Sequence, residues 1–471
     1  MCFNSLLLCL APLRAGLVVV NFNPLYTARE FAFQLKDAGV TGLIVLESFA
    51  HTLSRALEKC EVKHVIVTKM GDCLKWKKPI IDFVIKYVKK MVPPWEIKGS
   101  ISFKEAVRKG AQLPFEEVPM KKDDVAFLQY TCGTTGVPKG AMLTHQNILA
   151  NIAQSLVWVK SILSVGEETS VGALPFYHIF SLTVCCFCFM ALGATCFLIT
   201  NPRDIKGFIK SLGESQITVF VGINTLFSGL LNHPNFADAN FSKLKLSIGG
   251  GMATQKSVSD EWFEKTGTII IEGYGLTEAS PVVSINPLDL KTFSGSIGLP
   301  LPNTEVIIRD EEGYDLPLNE PGELCVRGPQ VMKGYWKKPE ETEKVIDDNG
   351  WLHTGDIARI DERGFIYLLD RKKDMIIVSG FNVYPNEIED ILTSHPGIRE
   401  AAVIGLSSEK TGEQIKAFIV RKDKNLTKDE VIKHCREFLT AYKVPKIIEF
   451  REELPKTNVG KVLRRALRDE N

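Results

Sequence analysis

Short apolar runs rich in β-branched residues recur through the first three quarters of the chain, and longer amphipathic segments separate them. Runs that are apolar throughout and alternate with helices are typical of parallel strands covered on both faces. The pattern therefore predicts a large α/β domain whose parallel-rich sheets are covered by helices. The runs are GLIVL from Gly42, HVIVT from His64, FLQYT from Phe127, ITVFV from Ile217 and TIII from Thr268.

The pattern changes after Asp370 to a small unit that contains the apolar runs DMIIVSG, AAVIGL and IKAFIV. A helix is predicted over 386–394. A second helix is predicted to begin at Thr427, because Glu430 three residues later completes a capping box. These elements predict a small α+β domain that closes the chain.

Length and charge limit the choice of function. The 471 residues exceed the size at which single cores usually stop growing, so we expect two domains, 1–370 and 371–471. Lys and Arg total 57 against 56 for Asp and Glu. A balanced charge provides neither a nucleic-acid footprint nor a whole-chain polybasic membrane pattern, so no nucleic-acid partner is expected.

The cysteines indicate a reducing compartment. The 11 cysteines are scattered and several lie in apolar runs, which favours the cytoplasm. Cys185 and Cys188 form a CxxC inside VCCFCFM. We interpret them as small buried apolar residues rather than a metal or redox site, because no second pair or histidine cluster stands at zinc-ligand spacing.

Two apolar segments resemble targeting or membrane segments. The N-terminal CFNSLLLCLAPLRAG places its basic residue after the apolar stretch, so a cytosolic helix is favoured over a signal peptide. Residues 179–200 carry no charge and are long enough to cross a bilayer, for which about 20 apolar residues suffice. Gly193 and the β-prone ATCFLIT favour a buried helix followed by a buried strand.

A glycine- and threonine-rich loop, TCGTTGVPKG, directly follows the apolar FLQY. Glycines let backbone N–H groups approach an oxyanion closely, threonines add hydroxyl donors, and a lysine adds a positive charge, so the loop predicts polyphosphate binding. It is not a P-loop, because GxxxxGK followed by Ser or Thr is absent. The alternative is a solvated turn. The candidate phosphate-binding residues are Thr131, Cys132, Gly133, Thr134, Thr135, Gly136 and Lys139.

This loop resembles the phosphate-binding signature of the adenylate-forming superfamily, which includes acyl-CoA synthetases, luciferases and the adenylation domains of peptide synthetases. A second matching segment is IEGYGLTEAS, from Ile271. The resemblance implies that Glu278 holds Mg²⁺, that Thr277 contacts phosphate and that Tyr274 lies against adenine. An N-cap pair on an ordinary helix is the alternative. Glu272 and Gly273 belong to the same candidate nucleotide site.

The longest match is GWLHTGDIARIDERGFIYLLDRKKDMIIVSGFNVYPNEIED, from Gly350. By resemblance, Asp356 accepts hydrogen bonds from both ribose hydroxyls and Arg371 donates to the nucleotide. Asp370 falls where family members hinge their two domains. The segment also implies a path for the pantetheine arm of coenzyme A along Ser379, Gly380 and Phe381.

LPKTNVGKVLRR, from Leu454, matches the segment that carries the catalytic lysine of the family, here Lys461. A mobile ammonium group can neutralise charge where the carboxylate meets the α-phosphate, and it can leave when the domain moves. A surface basic helix is the alternative, because three arginines follow.

Two more segments border the implied acyl pocket. In PFYHIF, His178 is a candidate gate and acts with Lys461, Glu278 and Thr277 in the predicted catalytic set; a satisfied core histidine is the alternative. In SIGGGM, predicted to follow a strand KLKL, Gly250 and Gly251 leave room for adenine or the acyl group, unless they form a bulge or tight turn.

DRKKDMIIVSGFNVYPNEIED and VVNFNPLYTARE look most like bacterial long-chain fatty-acid CoA ligases. The resemblance implies a fatty acid, ATP and coenzyme A as substrates, Mg²⁺ as cofactor, and a cytoplasmic location with peripheral contact at the inner face of the cell membrane. Two departures stand out: the start lies midway through the family's first helix and strand region, and Cys132 replaces Ser, Gly or Thr. Transfer to a carrier protein and a non-catalytic nucleotide-binding homologue remain alternatives.

Overall fold

The computed structural model describes residues 4–74, 77–132, 138–408, 410–457 and 460–470. Its largest sheet is mixed. Strands run parallel from one edge to β11, and the last two pairs are antiparallel. The order across the sheet is β8 (Thr195–Leu198), β7 (Thr169–Gly172), β9 (Val219–Gly222), β10 (Leu246–Gly249), β11 (Ile270–Gly275), β12 (Val282–Ile285) and β13 (Leu299–Pro300).

The other predicted strands form two smaller sheets. In the first, β1 (Val19–Val20) and β6 (Pro138–Thr144) flank β5 (Val125–Cys132). Both edges of β5 are therefore occupied, which keeps FLQYT out of the large sheet. The second sheet is parallel and consists of β2 (Gly42–Leu46), β3 (His64–Thr68) and β4 (Ile101–Ser102).

Helices cover these sheets, as the apolar pattern predicts. Capping boxes begin two of them, at Thr27 and Thr144. The helices are α1 (Asn4–Arg14), α2 (Ala28–Ala38), α3 (Ala50–Leu57), α4 (Lys78–Phe83), α5 (Phe103–Gly110), α6 (His145–Val159), α7 (Phe189–Ala191), α8 (Ile205–Gly213), α9 (Asn224–Leu231), α10 (Lys256–Thr266) and α11 (Pro339–Glu343), with π-helical segments at Val84–Val88 and Ser181–Cys188.

The N-terminal apolar segment forms a helix, α1, as predicted. Residues 179–200 contain the predicted buried helix, which begins with the buried π-helical segment Ser181–Cys188 and continues into α7, and strand β8 follows it. The prediction that this strand is buried is wrong, because β8 is the edge strand of its sheet and its residues are exposed or half-buried. Among the described residues, no helix has both the length and the apolar character needed to cross a membrane. The prediction of a strand at KLKL is wrong: β10 begins at Leu246 and contains the first three residues of SIGGGM, because these fully buried residues pair with β9 and β11.

A four-stranded antiparallel sheet connects the large region to the end of the chain. It consists of β14 (Glu305–Arg309), β15 (Gly322–Arg327), β16 (Leu352–Ile360) and β17 (Ile366–Arg371). The register of β16 and β17 places Asp356 opposite Arg371. Two side chains that lie 15 residues apart in sequence are thereby neighbours.

The last hundred residues form an α+β unit with its own apolar core. The predicted capping box of Thr427 and Glu430 begins α13. The elements are β18 (Ile376–Val378), β19 (Phe381–Val383), α12 (Pro385–Ser394), β20 (Ile398–Ser408), β21 (Gly412–Arg421), α13 (Lys428–Phe438), β22 (Ile447–Arg451) and α14 (Arg464–Asp469).

Candidate active site

A narrow apolar cavity, partly open to solvent, lies beside the carboxyl ends of β10 and β11. In open α/β sheets this edge is where ligands bind. Leu156 and Val159 of α6 and Val184 and Cys188 of the π-helical segment contribute to its wall. Burial raises the pKa of the Cys188 thiol to about 12, so the cysteine serves as an apolar wall residue, as the sequence indicates.

The glycines of SIGGGM and IEGYG adjoin this cavity. Gly251, at φ +74°, and Gly273 both contribute to the wall. At Gly250 a Cβ atom would lie 2.9 Å from Cζ of Phe180, so the missing side chain leaves room for this aromatic ring. The absence of side chains at these glycines therefore leaves room both for the cavity and for the ring of Phe180, which lines it.

His178 also lines the cavity, as predicted for a gate. Its Nδ1 accepts a hydrogen bond from the backbone N–H of Phe180 at 3.3 Å. Burial and the nearby charge of Lys461 lower the pKa of His178, which favours the neutral imidazole. The histidine therefore stands between the apolar cavity and the candidate catalytic lysine.

Tyr274 joins the cavity to the polar part of the site. Its hydroxyl donates to Oδ2 of Asp356 at 2.6 Å, while Nε of Arg371 lies 3.6 Å from Oδ1 of the same carboxylate. Burial raises the pKa of Asp356, and the charges of Arg371 and Lys461 oppose this shift. Four predicted residues are thus brought together, although they come from β11, β16, β17 and the end of the chain.

Lys461 is placed by a turn at Gly460. The backbone N–H of Lys461 donates to Oγ1 of Thr457 at 3.1 Å, and its carbonyl accepts from the N–H of Thr457 at 2.7 Å. Gly460 has φ +84°, and a Cβ atom there would lie 2.7 Å from Oγ1 of Thr225 in α9. Only glycine fits both the left-handed backbone and this contact.

The ammonium group of Lys461 is largely desolvated. Burial, followed by the charge of Arg371, lowers its pKa to about 8, although Asp356 acts in the opposite direction. Lys461 is therefore close to its titration point at physiological pH.

Lys139 lies on β6, opposite Thr131 on β5. Its ammonium group forms an ion pair with Glu341 and lies 5.1 Å from the ring centroid of Tyr335. This ion pair lowers the pKa of Glu341 to about 2. Lys139, which is predicted to bind phosphate, is therefore paired with the carboxylate of Glu341 in this structure.

Tyr335 and Glu341 are the site residues that the sequence analysis missed. The Tyr335 hydroxyl donates to Oε1 of Glu278 at 2.8 Å, so one aromatic side chain connects Lys139 with the predicted metal ligand. Both residues belong to GYWKKPEETE, which has no regular apolar period. Its only sequence feature is the cluster of aromatic, basic and acidic residues.

The remaining nucleotide-site predictions have separate outcomes. Thr277 follows β11 and lines the cavity. Oε1 of Glu272 accepts a hydrogen bond from the backbone N–H of Thr254 at 3.1 Å, and burial raises the pKa of Glu272 to about 8. Gly133, Thr134, Thr135, Gly136 and the side chain of Cys132 lie outside the described residues.

Ser379, Gly380 and Phe381 are the residues predicted to line the pantetheine path. They are exposed where β18 turns into β19, and the ring of Phe381 stacks on Tyr442 with centroids 4.9 Å apart. Gly380 has φ +82°, and no heavy atom lies within 4 Å of a Cβ atom built there. The predicted pantetheine segment is therefore accessible from solvent in this structure.

Glu278 is the carboxylate predicted to hold Mg²⁺. Among the described residues, no group of three or more His, Cys, Asp or Glu side chains could hold a metal ion. A single carboxylate still suits Mg²⁺, which is commonly held by one or two carboxylates together with substrate phosphates and water.

Known proteins with this combination of domains are nucleotide-binding enzymes. The family model described as AMP-binding enzyme matches residues 1–336, and the model described as AMP-binding enzyme C-terminal domain matches residues 387–461. The class defined by the fold and the site is therefore the adenylate-forming one that the sequence resembles.

Individual relatives indicate which enzymes of this class the chain is similar to. The chain is 53% identical over 459 residues to a long-chain-fatty-acid–CoA ligase of Yersinia pestis, covering 97% of this chain and 82% of that protein. It is 40% identical over 460 residues to the ligase of the same name from Bacillus subtilis, covering 97% and 81%. The chain therefore belongs to the AMP-binding enzyme family, among the long-chain-fatty-acid–CoA ligases.

Solved structures agree on the fold. ATP-bound MatB from Rhodopseudomonas palustris is 30% identical with a TM-score of 0.81, covering 99% of this chain and 86% of that one. The anthranilate CoA ligase AuaEII in complex with anthranoyl-AMP is 26% identical with a TM-score of 0.83, covering 98% and 84%. The predicted fold class and the family resemblance are both confirmed.

Proposed function

We propose that this chain activates a long-chain fatty acid with ATP and transfers the acyl group to coenzyme A. In the first step the carboxylate attacks the α-phosphate, giving acyl-adenylate and pyrophosphate. In the second, the thiol of coenzyme A attacks the acyl carbonyl and AMP leaves. The names of the relatives support the choice of acid.

One observation carries the proposal: the apolar cavity adjoins the polar cluster of Asp356, Arg371 and Lys461 through Tyr274 and His178. Its wall is almost entirely apolar, as is usual for small-molecule sites. An acyl chain would lie along the apolar wall, with its carboxylate at the cluster.

The residues divide the first step among them. Asp356 holds the ribose and Arg371 the nucleotide. Lys461 neutralises charge as the carboxylate meets the α-phosphate, since a desolvated cation stabilises such charge strongly. When ATP binds, Lys139 leaves its ion pair with Glu341 and binds a phosphate of ATP. Glu278 would hold Mg²⁺, which would neutralise phosphate charge.

The second step uses another face of residues 371–471. The charge of Lys461 already acts on Asp356, whereas Ser379, Gly380 and Phe381 remain exposed. We place the domain boundary at Asp370 and propose that the C-terminal domain rotates there between steps. Its carboxylate accepts from Arg464 at 2.9 Å and from the backbone N–H of Asn386 at 2.8 Å, so Asp370 moves with that domain.

Substrate supply completes the proposal. A long-chain acid is concentrated in membranes, so a cytoplasmic enzyme that uses it gains from peripheral contact with the inner face of the cell membrane.

ATP–pyrophosphate exchange with straight-chain acids of increasing length tests the proposed activity. We expect exchange to rise with chain length and Val159→Trp to shift the preference to shorter acids, because a larger side chain fills the cavity wall. Thioester formation is then compared with coenzyme A and with an acyl carrier protein. Absence of exchange with every acid would contradict the proposal, and preference for the carrier protein would replace its second step.

A further inference from the structure

The helical segment 78–88, formed by α4 and Val84–Val88, exposes several of its large apolar residues. None of its residues is buried. Phe83, Tyr87 and Val88 are 58%, 61% and 65% exposed, and Ile80 and Met91 are exposed as well. Ile80, Phe83 and Tyr87 recur at helical spacing and form one stripe, with Val88 beside it and Met91 just beyond the end of the helical segment. In a surface helix of a globular protein such a stripe normally faces the core.

Polar contacts fix the opposite side of the segment to the protein. Lys78 forms ion pairs with Asp72 at 2.5 Å and Asp82 at 2.8 Å, and Asp82 also accepts from the backbone N–H of Gly71 at 3.0 Å. A Cβ atom at Gly71 would lie 2.9 Å from the carbonyl oxygen of Lys78, so the preceding turn approaches the helix closely. The outward direction of the apolar stripe is therefore imposed by the fold.

The segment also concentrates positive charge. Residues 77–91 contain five lysines and one aspartate, in a chain whose net charge is only +1. Lys86, Lys89 and Lys90 are exposed at the same end as Tyr87 and Val88. Exposed apolar side chains bordered by lysines match a surface with an apolar interior and anionic headgroups.

We infer that residues 77–91 dock on an anionic phospholipid bilayer, with Ile80, Phe83, Tyr87, Val88 and Met91 entering the headgroup region. We call this segment the lipid-docking helix. The inference rests on the proposed use of a long-chain fatty acid, since docking would hold the enzyme where that acid is dissolved. This local positive charge is not apparent from the net charge of the whole chain, because positive and negative residues nearly balance.

Vesicle flotation tests the inference on the full chain. The probes are vesicles of phosphatidylcholine alone and of phosphatidylcholine mixed with phosphatidylglycerol. We expect the wild type to float with the mixed vesicles, and more weakly with phosphatidylcholine alone or at high salt. Failure of the wild type to float with the mixed vesicles would overturn the inference.

Three variants identify the surface. Ile80→Gln with Phe83→Gln and Tyr87→Gln removes the stripe, and we expect vesicle binding to fall by about tenfold or more. Glutamine is chosen because it sustains a helix. Lys86→Gln with Lys89→Gln and Lys90→Gln should lower binding to the mixed vesicles by roughly fivefold per lysine. Three equally exposed apolar residues elsewhere serve as the control and should leave binding unchanged: Val165→Gln, Tyr314→Gln and Leu318→Gln.

Two further measurements distinguish lipid docking from self-association and from a failure of the proposed function. Sedimentation without lipid tests whether the stripe binds a second copy of the chain; a dimer abolished by the apolar triple variant would overturn the lipid assignment. ATP–pyrophosphate exchange with a water-soluble acid should be the same in all variants. Wild-type binding retained by both triple variants would overturn only this inference, whereas a wild type that binds vesicles but catalyses no exchange would overturn the proposed function.

Discussion

Two lysines predicted to meet the phosphates of ATP have opposite surroundings. Lys139 is paired with Glu341 and lies near the ring of Tyr335. Lys461 forms no ion pair within the described part of the chain, and burial together with Arg371 lowers its pKa. A paired lysine must exchange one anion for another when ATP binds. A desolvated and unpaired lysine interacts strongly with any charge that develops beside it, which suits a transition state.

The two lysines also differ in how the fold holds them. Lys139 stands on β6, whose pairing with β5 fixes it. Lys461 stands in a turn in which Gly460 approaches Thr225 of α9 closely. A strand gives a permanent site, whereas a turn that packs against another element can leave it when a domain moves. We therefore assign binding to the first region and the chemical step of adenylation to the second.

The largest effect is expected for Lys461→Ala. Loss of this cation should lower the rate of acyl-adenylate formation by about 10²- to 10³-fold, because it removes charge stabilisation from the transition state. Lys139→Ala should cost only about tenfold and mainly raise KM for ATP, since removing binding common to ground and transition states raises KM. ATP–pyrophosphate exchange measures both. Equal losses of kcat would remove the distinction between the two regions.

The second prediction concerns the turn that places Lys461. Gly460→Ala should lower adenylation by about tenfold or more, because its Cβ would clash with Thr225 and shift the lysine, and small displacements are costly in catalysis. Gly313→Ala is the matched control: it has φ +88° and no heavy atom within 4 Å of its Cβ position. Similar rates for the two variants would contradict this placement of Lys461.

The third prediction follows from the lowered pKa of Lys461. The lysine is protonated below a pKa of about 8, and adenylation needs the cation. kcat/KM for the first step should therefore fall as pH rises through about 8, approaching tenfold per pH unit well above it. Lys461→Arg should remove this alkaline limb, because guanidinium stays charged. A limb near pH 8 that persists in the arginine variant would assign it to another group.

The smallest effect is expected at the paired lysine. Glu341→Gln removes the anion that competes with ATP for Lys139, so KM for ATP should fall a few-fold while kcat stays constant. Glu343→Gln, an exposed residue of the same helix, is the control. A rise of KM in Glu341→Gln alone would mean that Glu341 orients Lys139 for the phosphate.

The sequence predicted features that are local or periodic. Apolar runs identified the strands, the spacing of Thr427 and Glu430 identified a helix start, and motif resemblance identified the residues that meet at Lys461. The division of the strands among three sheets was not predicted, because the same apolar run suits any sheet that buries both faces.

Contacts between distant segments also escaped prediction. Lys139 and Glu341 lie 202 residues apart, and Arg464 reaches Asp370 across 94 residues. The periodicity of the sequence does not predict such pairs, since each side chain, taken alone, is an ordinary surface charge. The lipid-docking helix was missed for a different reason: its period predicts a helix, but the direction of its apolar face depends on the ion pairs of Lys78.

The central claim is that the two half-reactions use different faces of residues 371–471. Its most direct test is to measure each half-reaction separately in Lys461→Ala and Gly380→Leu, using pyrophosphate exchange for the first and thioester formation from supplied acyl-adenylate for the second. We predict that Lys461→Ala loses the first and largely keeps the second. Gly380→Leu should keep the first and lose the second, since a side chain at this exposed turn obstructs the pantetheine path. Equal loss of both half-reactions in either variant would contradict the account.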